Sequence, residues 1–138
     1  HAVRLTAMHP NEALIARFAA CPSPMGALML EHFHGAATRV GPTATAFPHR
    51  TPGFNFLVVG EWTDPAATGA NVAWVRDSYA ALAPHFAAGR YANYLNAEEV
   101  GEQQAVAAAF GPNWGRLREV KRRYDPDNVF RLNQNIAP

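Results

Sequence analysis

The chain has 138 residues, of which 49% are hydrophobic and 17% charged, with a formal net charge of +1. This excludes a disordered chain, gives no electrostatic reason to expect a nucleic-acid partner, and fits one domain by length. No apolar run approaches the roughly 18 residues of a membrane span; a single cysteine, Cys21, excludes an internal disulfide and points to the cytoplasm.

Residues 2 to 8, AVRLTAM, form an apolar stretch that reads as a first strand. In PNEALIARFAAC, Pro10 and Asn11 suit a helix start and Glu12 lies in the first turn. Leu14, Ile15 and Phe18 fall on one face of a helix over about 11 to 20, which Pro22 and Pro24 end. Gly26 to Gly35 reads as a strand in which Leu28, Leu30, His32 and His34 share a face opposite Met29, Glu31 and Phe33. The Pro-, Thr- and Gly-rich run AATRVGPTATAFPHRTPG is a long loop, and loops of that length in compact domains are usually functional or misassigned.

Phe54 to Trp62, FNFLVVGEW, is the clearest strand. Asp64 then caps a helix with Pro65 at its first position, running to about Phe86, where Pro84 kinks or ends the last turn. Its apolar stripe is Val72, Val75, Tyr79, Leu82 and Phe86, with Trp74 beside it. After Gly89, the aromatic run Tyr91 to Leu95 reads as a further strand. Asn96, with Glu98, Glu99 and Val100 behind it, opens a helix that Gly111 and Pro112 end, and Asn113 starts a basic one.

The fold class expected is α+β: an antiparallel sheet with helices on one face, in the ferredoxin-like order β-α-β-β-α-β, followed by two helices and an extended tail. The expected division is residues 1–95 for the sheet part and 96–138 for the C-terminal segment. The bare sheet face calls for a cover: a ligand, another domain, or a second copy in a homodimer. On these residues alone, a stand-alone small-molecule-binding or dimerisation module also remains open.

The C-terminal residues are more specific. Tyr91, Asn93 and Tyr94 make Y-x-N-Y, and Gly111, Asn113, Arg116, Leu117, Val120, Lys121, Tyr124, Asp125, Pro126, Asn128, Phe130, Arg131, Gln134, Ile136 and Pro138 follow at fixed spacing. Together with Phe47-Pro48-His49-Arg50 and Trp62, this pattern resembles the C-terminal part of the berberine-bridge-enzyme-like flavoproteins, of the vanillyl-alcohol-oxidase fold class. The resemblance implies an FAD-dependent oxidoreductase whose substrate domain lays a sheet over the flavin and whose tail returns to an FAD-binding domain. The chain carries no glycine-rich phosphate cradle of its own. It also begins at His1 rather than methionine, as the tail of a longer protein or a processed chain would.

Carried over, Tyr94 is the catalytic base, taking a hydroxyl proton while hydride leaves the adjacent carbon for flavin N5. A tyrosine's ordinary pKa is about 10, so the role needs nearby positive charge or hydrogen-bond donors. On a regular strand Tyr91 and Tyr94 face opposite sides, so only one would look at the flavin. Tyr91, Asn93, Asn133 and Gln134 are the implied cofactor contacts. His32, His34, Arg39 and His49 are the implied substrate contacts. Arg39 stands where the plant enzymes place a glutamate base, and His34-Gly35 where the family has Gly-Gly. His32 and His34 with His49 have donor chemistry for zinc, but pocket-wall histidines are the reading adopted, and no metal is expected.

Overall fold

The computed structural model describes residues 2–5 (backbone), 11–87, 89–95 and 103–138. The expected strand residues 6–8, and the Asn96 helix start with Glu98, Glu99 and Val100, lie outside the described residues. The chain forms two compact units, His1–Phe33 with Gly53–Ala88, and His34–Pro52 with Gly89–Pro138.

The first unit contains β1 (Ala2–Leu5), α1 (Asn11–Ala19), β2 (Ala27–Phe33), β3 (Gly53–Val59) and α2 (Thr68–Leu82). The strands form an antiparallel sheet in the order β1-β3-β2. Register sets Leu28 opposite Val58, Leu30 opposite Phe56 and His32 opposite Phe54. Opposed residues share a face, so these six side chains look the same way. That face meets the helices: Phe56 and Val58 form a buried core with Trp74 and Leu82 of α2, and Ala13 and Leu14 of α1 pack against it. Burying a side chain such as Phe56 stabilises by roughly 1.5–3 kcal/mol. The opposite face carries Asn55, whose Nδ2 donates to Glu31 Oε2 at 2.5 Å.

Asp64 caps as its sequence predicts, accepting from Ala66 N at 2.9 Å ahead of a 3-10 turn at Pro65–Ala67. Of the expected stripe of α2, Leu82 is buried and Val75, Tyr79 and Phe86 pack against the core, but the most buried line runs through Trp74 beside it. The buried residues of α2 are Asn71, Trp74, Ser78 and Leu82. Both buried polar positions make a hydrogen bond, although Asn71 Oδ1 is left buried without a partner. Asn71 Nδ2 donates to Ala67 O at 2.9 Å, and Ser78 Oγ accepts from Arg17 Nε at 3.2 Å. Trp74 Nε1 donates to Arg17 O at 2.7 Å. Helix α1 thus turns its Ala13, Leu14 and Arg17 edge toward α2. Ile15 and Phe18, expected inside with Leu14, stay outside at 68% and 57% exposure.

The second unit has a core of Leu95, Val106 and Ala109, joined by Ala92, Phe110, Trp114 and Ile136. It holds α3 (Gln103–Phe110) and α4 (Trp114–Tyr124), separated by a 3-10 turn at Gly111–Asn113. Gly111 takes φ +50, a conformation that favours glycine, which explains its place at the end of α3.

The long loop is held from within. Arg50 donates to Phe47 O at 3.2 Å, Ala37 O at 3.0 Å and Thr45 Oγ1 at 2.6 Å. Asn113, 5% exposed, gives its Nδ2 to Pro42 O at 2.9 Å and Ala46 O at 3.3 Å. Its side chain therefore fastens the loop rather than capping α4.

Helix α4 closes on Asp125, whose N donates to Lys121 O at 2.8 Å. The Asp125 carboxylate accepts from Val129 N at 2.7 Å, from Phe130 N at 3.1 Å, and from Lys121 Nζ. Asn128 follows at φ +53, one of the conformations asparagine tolerates. The tail is tied down by Gln103 Nε2 to Asn135 O at 2.9 Å and Arg118 Nη2 to Pro138 O at 3.1 Å.

The fourth strand expected over Tyr91 to Leu95 is not formed. Ala92–Tyr94 is a single 3-10 turn, closed by Tyr94 N donating to Tyr91 O at 2.9 Å. The aromatic composition favoured a strand, but the backbone satisfies its groups locally instead of pairing with a neighbour.

Candidate functional site

The turn changes the geometry of the two tyrosines. Residues three apart eclipse on a 3-10 turn, whereas on a strand they diverge. Tyr91 and Tyr94 accordingly lie on the same side, ring centroids 5.2 Å apart at 83°. Phe47 continues the series with its ring edge-on to Tyr91 at 5.2 Å and 85°, and His49 is edge-on to Phe47 at 5.3 Å and 79°. Each contact is the edge-to-face arrangement that aromatic quadrupoles favour. The Arg50 guanidinium sits 4.9 Å from the Phe47 ring centre, so the loop cation both clamps carbonyls and covers this ring. Asn93 Nδ2 donates to Tyr91 Oη at 2.9 Å, fixing the first phenol.

Backbone contacts join the same two segments. His49 Nε2 donates to Arg90 O at 2.7 Å. The His49 ring lies against Gly89, where a Cβ would come within 2.7 Å of Cε1. Gly89 has φ +97, so both its conformation and its neighbour demand the missing side chain. A cavity of about 160 Å³ is lined by Ala46, Phe47, Pro48, Tyr91, Ala92, Asn93, Ala109 and Phe110. Its wall is nearly all apolar.

The predicted site residues separate by unit. Tyr91, Asn93, Tyr94 and His49 come together in the second unit, in the cluster just described. Arg39 ends the 3-10 turn at Gly35–Thr38, its N donating to Ala36 O, and its side chain is exposed. His34 precedes that turn in extended backbone, φ −158 and ψ −167. Asn133 has φ +57 and is exposed, and Gln134 beside it is half-buried. His32 belongs to the sheet unit, stacked on Phe54 with centroids 4.8 Å apart. Among the described residues, no three of His, Cys, Asp or Glu gather closely enough to hold a metal ion.

Sequence reading missed the meeting of the Phe47–Arg50 loop with the Tyr91–Tyr94 turn. The one local signal was Gly89, whose position directly before Arg90 and Tyr91 is now explained by the His49 ring.

FAD carries a diphosphate, an adenosine and an isoalloxazine ring, far more than a cavity of about 160 Å³ can enclose. Its lining residues include no cation for a diphosphate. The C-terminal amides do fit a contact at one edge of such a group. Asn135 Oδ1 is buried without a partner, and a buried acceptor of this kind calls for a donor.

Residues 90–137 match the family described as "Berberine and berberine like". The chain is 34% identical over 120 residues to Berberine bridge enzyme-like 17 of Arabidopsis thaliana, covering 77% of this chain and 23% of that protein. It is 32% identical over 117 residues to the uncharacterised FAD-linked oxidoreductase YgaK of Bacillus subtilis, covering 85% of this chain and 25% of that one. The solved structure of berberine bridge enzyme from Eschscholzia californica has the same fold, with a TM-score of 0.82 at 19% identity over 99% of this chain and 32% of that chain.

Residues 90–137 belong to that family, and the chain as a fragment is similar to berberine-bridge-enzyme-like FAD-linked oxidoreductases, spanning about a quarter of the length of these curated relatives.

Proposed function

We propose that this chain is the substrate-side and C-terminal part of an FAD-dependent oxidoreductase that oxidises an alcohol, a sugar or a similar small organic substrate. When bound, the flavin supplies the hydride acceptor, N5. The observation that carries the proposal is the Tyr91–Tyr94 turn, which presents both phenols on one side while Asn93 holds the first. Tyr94 takes the substrate hydroxyl proton as the carbon–hydrogen bond yields its hydride, leaving a carbonyl product. Tyr91, Asn93, Asn133 and Gln134 serve as contacts to the flavin edge. His34 and Arg39 are the proposed substrate contacts of the second unit, and His32 is the one proposed in the sheet unit.

FAD is held mainly by a partner domain of the same protein. The exposed apolar side chains of the tail support this: Tyr124, Val129, Phe130 and Leu132 stand out from the unit, Phe130 at 81% exposure. Apolar groups gathered so closely are normally covered by another surface. Cys21, a free thiol, suits a cytoplasmic protein.

The test is flavin reduction by substrate in the full-length protein carrying Tyr94→Phe. The expected result is a yellow protein whose flavin is reduced about 10²–10⁴-fold more slowly, the usual contribution of a general base. Reduction at the parent rate would remove Tyr94 from the reaction.

A further inference from the structure

We infer that His49 is a positioning residue for Tyr94. The inference rests on the reading of Tyr94 as the base and adds a residue that acts on it from the loop. The Arg90 carbonyl can only accept, so the proton of this bond is on His49 Nε2. That bond spans 2.7 Å and fixes the residue immediately before Tyr91. The imidazole also packs against the residue before that, Gly89, whose φ of +97 favours glycine and whose missing Cβ makes room for the ring.

Beyond Arg90 the backbone has little freedom, because Tyr91 O already accepts from Tyr94 N at 2.9 Å. The same loop grips the turn a second time through Phe47, edge-on to Tyr91, which is in turn edge-on to Tyr94. The loop itself is immobilised by Arg50 and by Asn113. The imidazole therefore transmits a fixed loop position to the phenol. A displacement of about 1 Å at a reacting group costs on the order of 10²-fold in rate.

The test uses the full-length, flavin-loaded protein and measures flavin reduction by substrate as a function of pH for His49→Ala, His49→Gln, Tyr94→Phe and His49→Ala/Tyr94→Phe. The expected result is a loss of about 10- to 100-fold in His49→Ala with the shape of the pH profile unchanged. His49→Gln, whose amide can still donate to Arg90 O, recovers the rate to within about threefold. The double variant is no slower than Tyr94→Phe alone, because there is no longer a base to position.

Losses that multiply in the double variant would mean that His49 acts on substrate independently, and would overturn the inference. So would His49→Ala reducing at the parent rate while Tyr94→Phe is slow, which leaves the role of Tyr94 standing. If Tyr94→Phe is itself unimpaired, both readings fall. Should His49→Ala fail to fold or to retain flavin, Gly89→Ala and His49→Gln decide. Gly89→Ala is expected to match the loss, and a parent rate there, or a His49→Gln rate as low as that of Tyr94→Phe, overturns the inference.

Discussion

In the sheet unit, cohesion comes from burial of Phe56, Val58, Trp74 and Leu82, whereas the second unit supplements a smaller core of Leu95, Val106 and Ala109 with side chains that reach backbone carbonyls. Arg50, Asn113, Gln103, Arg118, Lys121 and His49 all make such bonds. The difference is one of directionality. Burial fixes how much surface is covered, while a donor aimed at one carbonyl fixes where a segment lies. The first unit is built as a scaffold, and the second is built to hold a loop, a turn and a tail in register.

The largest effect should come from emptying the first core. Phe56→Ala removes a fully buried ring and is expected to cost about 3–5 kcal/mol, read as a fall in the denaturant midpoint. A loss under about 1 kcal/mol would show that burial is not what binds this unit.

In the second unit, Asn113→Ala strips donors from the Pro42 and Ala46 carbonyls and should cost about 1–3 kcal/mol. Hydrogen exchange should accelerate in residues 40–52 while the amides of β3 keep their protection. Equal acceleration in both places would erase the proposed distinction between the units.

The smallest effect concerns Asp125. Lys121 beside it, with the Val129 and Phe130 amides, holds its carboxyl below the usual carboxylate value, against some burial. A depressed folded pKa gives stability that is present above the unfolded value of about 4 and is lost as pH falls through the folded one. Asp125→Asn should therefore lower stability at neutral pH, where the contribution is full, by an amount that shrinks as pH falls below about 4, so that the acid limb is flatter than the parent's. An unaltered acid limb would show that this carboxylate does not contribute to it.

The strand β3 was readable because alternation and burial agree: Phe54, Phe56 and Val58 face the helices. Asp64-Pro65 and Gly111-Pro112 were readable because helix ends have local chemistry. Helix α1 was misread because its burial is decided by Arg17, whose carbonyl and guanidinium serve Trp74 and Ser78 far along the chain. The turn at Tyr91 was misread for a related reason. Aromatic content speaks for a strand, but a strand needs a neighbour to pair with, and propensity does not report one.

At the candidate site, Tyr94 and His49 were legible as members of motifs. Their connection was not, since it depends on a bond between residues 41 apart in sequence. Such closures depend on tertiary arrangement and leave no periodic trace.

The fastening of the long loop has an evolutionary consequence. Arg50 and Asn113 bind Ala37, Pro42 and Ala46 through their carbonyl oxygens alone. Any amino acid supplies the same oxygen, so these positions can change identity without loosening the loop. A lineage could thus exchange side chains around the aromatic turn step by step, adapting what passes over it while the frame stays intact.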